Sequence, residues 1–337
     1  MLLHLHHETR YRYSPAVENA QHVVHLQPSS SPEQTVLSHQ LHIDPPPDQR
    51  REAPDVYGNQ RTFFSLQRSH RELHVSAHSV VNTHPATQPV AGNNNHNNNH
   101  SDIKQPGAPW EETRDRYRYR AGSAHDAAWQ FVFASPLIAL APHSAEFAEF
   151  ALPSFTPGRQ IADAAHHLMT RIYQQMEYDS DATDVHTSPL DALRQRKGVC
   201  QDFAHIMVAC CRALGLPARY VSGYMLTHPA PGTPRLIGCD ASHAWASVFC
   251  PEAAHTPHAA HNPAGTQPVS RGQWIDFDPT NNRVPLDDYI TLATGRDYLD
   301  VSPLRGVLHG GAQHTLRVAV TVTPIEHAGQ TVDTFTD

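Results

Sequence analysis

The sequence predicts an α+β fold of two domains, with an antiparallel β-sandwich at the amino end and a mixed domain of helices and strands after it. About the first 85 residues carry short β-type patterns separated by turn residues, which is typical of a sandwich. After residue 157, apolar residues at helical spacing are followed by segments that alternate as strands do. A length of 337 residues also favours two domains.

Turn residues divide the first domain, which we predict to span residues 1–90. The β-type patterns lie at 23–27, 35–38, 40–43 and 72–77. Three prolines at 45–47 and the Tyr-Gly-Asn triplet at 57–59 interrupt them.

Four further segments complete the predicted domain organisation. Residues 91–108 form a low-complexity loop rich in Asn and His, which cannot bury enough apolar surface to fold, and 109–156 form a connecting helical segment. Residues 157–300 are the core domain, with a variable polar insertion at 251–272. Residues 301–337 end the chain as a strand region, in which 316–322 alternate and could pair with either sheet.

Two amphipathic helices are predicted in the core domain. The first runs from about 157 to 178, and its apolar positions are Ile161, Ala165, Leu168, Ile172 and Met176. The second begins near Cys200, and its apolar stripe is Phe203, Met207, Cys210 and Leu214. Gly215 and Pro217 end it, as glycine and proline commonly do.

Cys200 is the candidate nucleophile because it lies in the first turn of the second helix, after Gly198. The unpaired N–H groups and positive dipole end of a helix N-terminus favour a thiolate, and only the thiolate attacks carbonyls well. The same N–H groups can donate to an oxyanion. Cys210 and Cys211 lie in mid-helix, where we expect small buried side chains.

A histidine and a carboxylate follow on two predicted strands. His243 opens an alternating segment at 242–250, and Trp274, Asp276 and Asp278 share one face of the next strand. A carboxylate bonded to one imidazole nitrogen fixes the tautomer and turns the other nitrogen to the thiol. Asp278, at the end of its strand, is the better placed carboxylate, but the alternation also allows Asp276.

Four segments resemble the transglutaminase-like superfamily, specifically its bacterial branch described as cysteine proteases. They are GVCQDFAH at 198–205, RYVSGY at 219–224, DASHAW at 240–245 and FDPTN at 277–281. ETRYRY at 8–13, DVYGN at 55–59 and HREL at 70–73 resemble the N-terminal β-domain that accompanies this branch. The resemblance covers most of the chain and is strongest from 197 to 282.

The resemblance implies a papain-like fold, in which the helix bearing the cysteine packs on an antiparallel sheet bearing the histidine and aspartate. It assigns Cys200 as nucleophile, His243 as base and Asp278, rather than Asp276, as third member of a triad. The family's oxyanion hole combines the cysteine amide with a donor from an upstream aromatic side chain, for which Tyr178 is the candidate. Supporting roles are expected for Gln201 and Trp245, which lie in the same motifs.

Composition limits the remaining classes of function. A net charge of −8 and a pI near 6.4 argue against broad binding of nucleic acid or anionic membranes. A mean hydropathy of −0.50, five cysteines and the lack of a signal-like amino end lead us to expect a cytoplasmic enzyme. Its partner is expected to be a protein or peptide substrate, without nucleic acid, membrane, metal or other cofactor.

The predicted activity is acyl transfer on amide bonds through a thioester, with peptide or amide hydrolysis as the favoured outcome. Transfer to an amine, as in a transglutaminase, is the alternative, and a catalytically silent binding scaffold is a second one. A zinc site is disfavoured because Cys239 and His243 would lie about 13 Å apart along a strand.

Overall fold

The computed structural model describes residues 1–84, 107–120, 126–227, 242–252, 272–311 and 313–325. The predicted Asn/His loop, except residues 107 and 108, lies outside these ranges, as does the predicted insertion, except residues 251, 252 and 272. Across the described ranges, no helix is both long enough and apolar enough to cross a bilayer.

The described strands and helices have the following bounds. The strands are β1 Leu2–Val24, β2 Gln34–Asp44, β3 Gln49–Pro54, β4 Gln60–Leu66, β5 His70–Thr83, β6 Glu177–Tyr178, β7 Lys197–Gly198, β8 Ala218–Met225, β9 Ser242–Pro251, β10 Gly272–Phe277, β11 Tyr289–Gly295, β12 Leu304–Gly310 and β13 Gln313–Pro324. The helices are α1 Trp110–Tyr117, α2 Ser144–Ala151, α3 Ile161–Gln175, α4 Pro189–Gln195, α5 Cys200–Ala213 and α6 Tyr298–Val301.

The N-terminal domain is built around β1, a strand of 23 residues. The first part of β1 lies between β5 and β13, and the second part lies between β4 and β12, all antiparallel. Strands β2 and β3 complete the seven-stranded sheet. Both halves contribute to one buried cluster, which includes Leu5, Phe64, Val75 and Val320. The predicted antiparallel β-rich domain is therefore confirmed.

Most of β1 was not anticipated from the pattern, which indicated a strand only at 23–27. The inward positions of β1 include Leu3 and Leu5 but also the buried polar residues His7 and Thr9. Polar residues on the buried face weaken the alternation of apolar and polar residues by which a half-buried strand is recognised.

The carboxyl end of the described chain returns to the N-terminal domain. Strand β13, predicted from its alternation at 316–322, pairs with β1 over Leu3↔Pro324 to Ser14↔Gln313. Of the two sheets that the sequence left open, it joins the first one.

The core domain packs helices on a four-stranded antiparallel sheet of order β10-β9-β8-β11. Helix α5 carries Phe203, Met207 and Cys210 into a cluster that also holds Ala246 and Val248 of β9. All five apolar positions predicted for the first helix are buried, although α3 itself ends at Gln175. Helices α1 and α2 of the predicted connecting segment contribute to the same cluster. The helix-on-sheet core is thus confirmed.

Candidate active site

The start of α5 is fixed by a close contact between Gly198 and Asp202. A Cβ atom on Gly198 would lie 2.6 Å from the Asp202 Oδ2 atom, so only glycine fits there. That oxygen accepts hydrogen bonds from the Val199 amide at 2.8 Å and from the Thr183 hydroxyl at 2.6 Å. An acidic side chain at the third helical position that binds the N-cap amide is half of a capping box. The motif therefore positions the first helical residue, Cys200.

Strand β9 brings His243 to the sheet position opposite Gly223 of β8. Gly223 leaves space for the Trp245 indole, since a Cβ there would approach the ring carbon Cη2 to 2.5 Å. Trp245 is fully buried, and its ring centroid lies 6.2 Å from that of His243. The indole thus forms a packed support beside the imidazole.

Cys200, His243 and Asp278 interact in this order. The His243 Nε2 atom lies 2.7 Å from the Asp278 Oδ2 atom, and the ring also interacts with the Cys200 side chain. Because Asp278 contacts Nε2, the other ring nitrogen, Nδ1, is the one available to the Cys200 thiol. His243 is 10% exposed and Asp278 is fully buried, whereas Cys200 is partly exposed.

The charge distribution favours a protonated imidazole. Burial disfavours the charged ring, but hydrogen bonds and charge interactions with Asp278 and Cys200 outweigh it and raise the pKa of His243 to about 10. Burial likewise opposes the Asp278 charge, but its hydrogen bonds, led by that from His243, lower the pKa of this carboxyl. The two groups form an ion pair inside the domain.

Asp278 follows β10 directly and is held by five donors. Oδ2 accepts from His243, from the Asn281 side-chain amide at 2.7 Å and from the Tyr289 hydroxyl at 2.7 Å. Oδ1 accepts from the backbone amides of Thr280 at 2.9 Å and Asn281 at 3.2 Å. Several donors to one carboxylate compensate the cost of burying its charge.

Asp276 occupies a different environment. Its Oδ2 atom accepts a hydrogen bond from the Trp245 indole N–H at 2.9 Å, and burial raises the pKa of its carboxyl. The carboxylate that His243 contacts is Asp278, the residue that the resemblance selected.

The three predicted support residues have different surroundings. Tyr178 is 59% exposed and pairs with Gly198, two residues before Cys200. Burial and then the nearby Cys200 charge raise the pKa of its phenol. The Gln201 side-chain amide lies 3.5 Å from the Val185 carbonyl oxygen, at the limit of a hydrogen bond. Trp245 donates its N–H to Asp276, and its ring lies beside the His243 ring at a centroid distance of 6.2 Å.

Asn281 and Tyr289 also contact the site, but the sequence did not lead us to predict either of them as site residues. Asn281 belongs to the matched segment FDPTN, which was a usable signal, and its side-chain amide also lies 3.3 Å from the His243 Nε2 atom. Tyr289 lies outside every matched segment, and only the pairing of β11 with β8 brings it to the site.

Within the described part of the chain, no group of three or more His, Cys, Asp or Glu side chains is arranged to hold an ion. Cys239, which the zinc hypothesis used, lies outside that part.

Comparison with known proteins identifies the family. A model of the bacterial transglutaminase-like N-terminal region matches residues 3–82, and a model of the transglutaminase-like superfamily core matches residues 153–279. An uncharacterized protein of Mycobacterium tuberculosis (strain H37Rv) is 37% identical over 326 residues, which cover 95% of this chain and 92% of that protein. The chain belongs to the transglutaminase-like superfamily.

Two further proteins are similar to this superfamily member over nearly its whole length. An uncharacterized protein of Mycobacterium leprae is 29% identical over 325 residues, covering 94% of this chain and 96% of that protein. The solved structure of a candidate cysteine protease from Cytophaga hutchinsonii is 21% identical, with a TM-score of 0.66. The match covers 97% of this chain and 92% of that chain. At that identity the likeness shows a shared fold, which includes both the N-terminal domain and the core.

Proposed function

We propose that this protein catalyses cysteine-dependent acyl transfer on amide bonds, with hydrolysis of a peptide or carboxamide as the overall reaction. The observation that carries the proposal is that Cys200, the first residue of α5, interacts with His243, which is hydrogen-bonded to Asp278. A thiol, an imidazole and a carboxylate in this order are the parts of a nucleophilic acyl-transfer site.

The pKa of His243 near 10 gives each residue its role at neutral pH. The ring is then an imidazolium, and an imidazolium together with a helix N-terminus favours the thiolate form of a neighbouring cysteine. Asp278 stays ionised because its donors lower its pKa, and it keeps the ring oriented towards Cys200.

In the first half-reaction the Cys200 sulfur forms a bond to the amide carbonyl carbon, and the carbonyl electrons move to oxygen. His243 gives its proton to the leaving nitrogen as the carbon–nitrogen bond breaks, which releases an amine or ammonia and leaves a thioester. The Cys200 amide and the Tyr178 hydroxyl are the proposed donors to the oxyanion, since the first amides of a helix have no intrahelical acceptor.

In the second half-reaction neutral His243 removes a proton from water, whose oxygen attacks the thioester carbon. The carbon–sulfur bond then breaks, which releases the carboxylic acid and restores the thiolate and the imidazolium. Atoms and charges balance over the two halves, and no further reactant is needed.

The test is intact-mass kinetics of iodoacetamide labelling between pH 4 and 9 on the wild type and His243→Ala. Cys210, Cys211 and Cys250 are buried, and burial raises the pKa of each thiol, so they are poor competitors. Cys239→Ser in the background of every variant removes the cysteine that lies outside the described residues.

We expect Cys200 to label rapidly well below pH 8, and we expect this reactivity to be lost in His243→Ala. Labelling that is no faster than that of an ordinary thiol, and indifferent to His243, would contradict the catalytic proposal and favour the binding scaffold. Cys200→Ala is the control that assigns the added mass.

Glutamine-containing peptides distinguish hydrolysis from amine transfer. Ammonia release that yields only glutamate supports hydrolysis. A product that incorporates an added primary amine in preference to water would replace hydrolysis by transglutamination at the same three residues.

A further inference from the structure

Tyr289 is buried against the site and has one defined hydroxyl contact. Its O–H donates to the Asp278 Oδ2 atom at 2.7 Å, the same oxygen that His243 contacts. The phenol is 4% exposed, and its ring meets the Trp245 ring edge-on at a centroid distance of 5.3 Å. The Arg283 guanidinium lies 5.2 Å from the centre of the ring. The hydroxyl is therefore fixed from several directions.

The strand that carries Tyr289 is held from outside the core domain. Strand β11 is at the edge of its sheet, and the Gln34 side-chain amide contacts it as a neighbouring strand would. Gln34 donates to the Thr291 carbonyl at 2.7 Å and accepts from the Thr291 amide at 2.8 Å. Asn59 makes the same pair of bonds with Thr294, at 2.7 and 2.8 Å.

These amides satisfy backbone groups of β11 that β8 does not reach. Unpaired backbone groups at a sheet edge are costly when buried, so both contacts fix the position of the strand. Ile290 and Leu292 of β11 add to this by packing in the cluster of the N-terminal domain. The first residue of the strand, Tyr289, is held in register with β8 as a result.

We propose that Tyr289 is a positioning residue of the Cys200–His243–Asp278 site, and that the N-terminal domain keeps it in place through Gln34. This inference rests on the function proposed above. Tyr289 acts through Asp278: its hydroxyl stabilises the ionised carboxylate and holds Oδ2 in the direction of the imidazole.

Among the described residues, the charged and titratable groups that face this contact are as follows. Asp278 meets His243 and Tyr289, and His243 also meets Cys200. Tyr289 additionally faces Arg283, which pairs with Asp288 at 2.9 Å. Burial and the Asp278 charge raise the pKa of Tyr289, so its hydroxyl remains a donor from pH 4 to 9.

The experiment compares Tyr289→Phe with Tyr224→Phe in the iodoacetamide pH profile. Tyr224 is a matched control because it is fully buried on the adjacent strand and its hydroxyl is hydrogen-bonded at 2.9 Å, to His7 instead of to the site. Both changes keep the ring and remove one buried hydroxyl.

For Tyr289→Phe we expect the acidic limb of the Cys200 profile to move up by about one pH unit, because a hydrogen bond to a charged group is lost. At pH values below both midpoints the labelling rate should fall about tenfold, since one pKa unit is a tenfold change in equilibrium. Tyr224→Phe should retain the wild-type profile.

A second variant covers the case in which Tyr289→Phe does not fold. Gln34→Ala leaves every site residue intact. The acidic limb of its Cys200 labelling profile should also move to higher pH, by a smaller amount than in Tyr289→Phe. A wild-type profile in folded Gln34→Ala overturns the part of the proposal that concerns the N-terminal domain.

The outcomes separate this proposal from the proposed function. If His243→Ala loses its low-pH reactivity while Tyr289→Phe keeps the wild-type profile, the positioning role is overturned and the function stands. Equal shifts in Tyr289→Phe and Tyr224→Phe mean a general structural effect and also overturn it. If His243→Ala labels as the wild type does, both proposals fall.

Discussion

His243 in the core domain and His7 in the N-terminal domain are both buried and both hydrogen-bonded, yet their pKa values move in opposite directions. His7 contacts two hydroxyls, that of Tyr224 at 2.9 Å and that of Thr9 at 3.0 Å. Burial, and then the nearby His6, lower its pKa to about 4. His243, beside Asp278, has a pKa of about 10.

The difference shows that the partner, and not burial, sets the charge of a buried imidazole here. Burial disfavours the charged form in both places, but only a carboxylate supplies an opposite charge that outweighs it. His205 on α5 agrees with this, since it is fully buried, has a neutral partner in the Tyr298 amide, and has its pKa lowered to about 3.

The largest expected effect comes from removing that carboxylate. In Asp278→Asn the environment of His243 becomes like that of His7, so its pKa should fall below the ordinary value of about 6.5. The Cys200 labelling rate at pH 6 should drop on the order of a hundredfold, because only the thiolate is alkylated and an ordinary thiol, with a pKa near 8.5, is less than about 1% thiolate at that pH. The measurements are the labelling profile and an NMR titration of the ring.

Asp276→Asn is the matched control for that change. It removes a half-buried carboxylate two residues earlier, on β10, which contacts Trp245 instead of His243. A larger loss of reactivity in Asp276→Asn than in Asp278→Asn would reverse the assignment of the third residue.

The next effect is on stability at alkaline pH. A histidine whose folded pKa is raised stabilises the fold fully below its unfolded pKa, near 6.5, and loses that contribution as pH rises through about 10. The difference in unfolding free energy between wild type and His243→Gln should be about 3 kcal/mol at pH 6, as for a broken buried ion pair. It should shrink towards pH 10 in urea titrations, and a difference independent of pH would contradict the ion pair.

His7 should produce a somewhat smaller effect with the opposite pH dependence. Its lowered pKa means that the unfolded chain takes up a proton first, so stability falls as pH drops from 6.5 towards 4. Between pH 7 and 4.5, the unfolding free energy of His7→Gln should therefore fall by about 2 kcal/mol less than that of the wild type. Acid sensitivity should persist in part, because burial also lowers the pKa of His22 and His39 to about 4.

The control for His7 is His309→Gln, since His309 is exposed on β12 and pairs with Glu18. It should keep the wild-type acid dependence. If His7→Gln and His309→Gln give the same loss between pH 7 and 4.5, then His7 is not held neutral in the folded state.

The smallest expected effect is that of Tyr224→Phe, which removes one hydrogen bond of His7. The unfolding free energy should fall by about 1 kcal/mol at pH 7, as for a single buried hydrogen bond. Chemical denaturation measures this change. A loss above about 3 kcal/mol would mean that Tyr224 also supports the packing between the two domains.

Much of the site could be predicted because its parts lie in short local patterns. The helical stripe from Phe203 to Leu214 predicted α5 and Gly215 predicted its end, while Gly198 placed Cys200 in its first turn. The alternation at 242–250 gave the strand of His243. Periodicity alone left Asp276 and Asp278 equivalent, because residues two apart on a strand share a face.

Non-local pairing explains the parts that were missed. The 23 residues of β1 contain polar inward positions whose partners, such as Tyr224 for His7, come from the other domain. The contact of Tyr289 with Asp278 likewise depends on β11 pairing with β8 and on the Gln34 amide. No spacing along the chain encodes those distances.

By itself, then, the sequence determined which residues carry reactive groups and which local elements present them, because helix caps, glycine turns and strand alternation act over a few residues. Periodicity left two carboxylates for His243, and the tertiary structure decided which of them it meets, what charge the imidazole holds and what fixes the third residue. Those properties depend on burial and on partners from distant strands, since the energy of a charge inside a protein is set by everything packed around it.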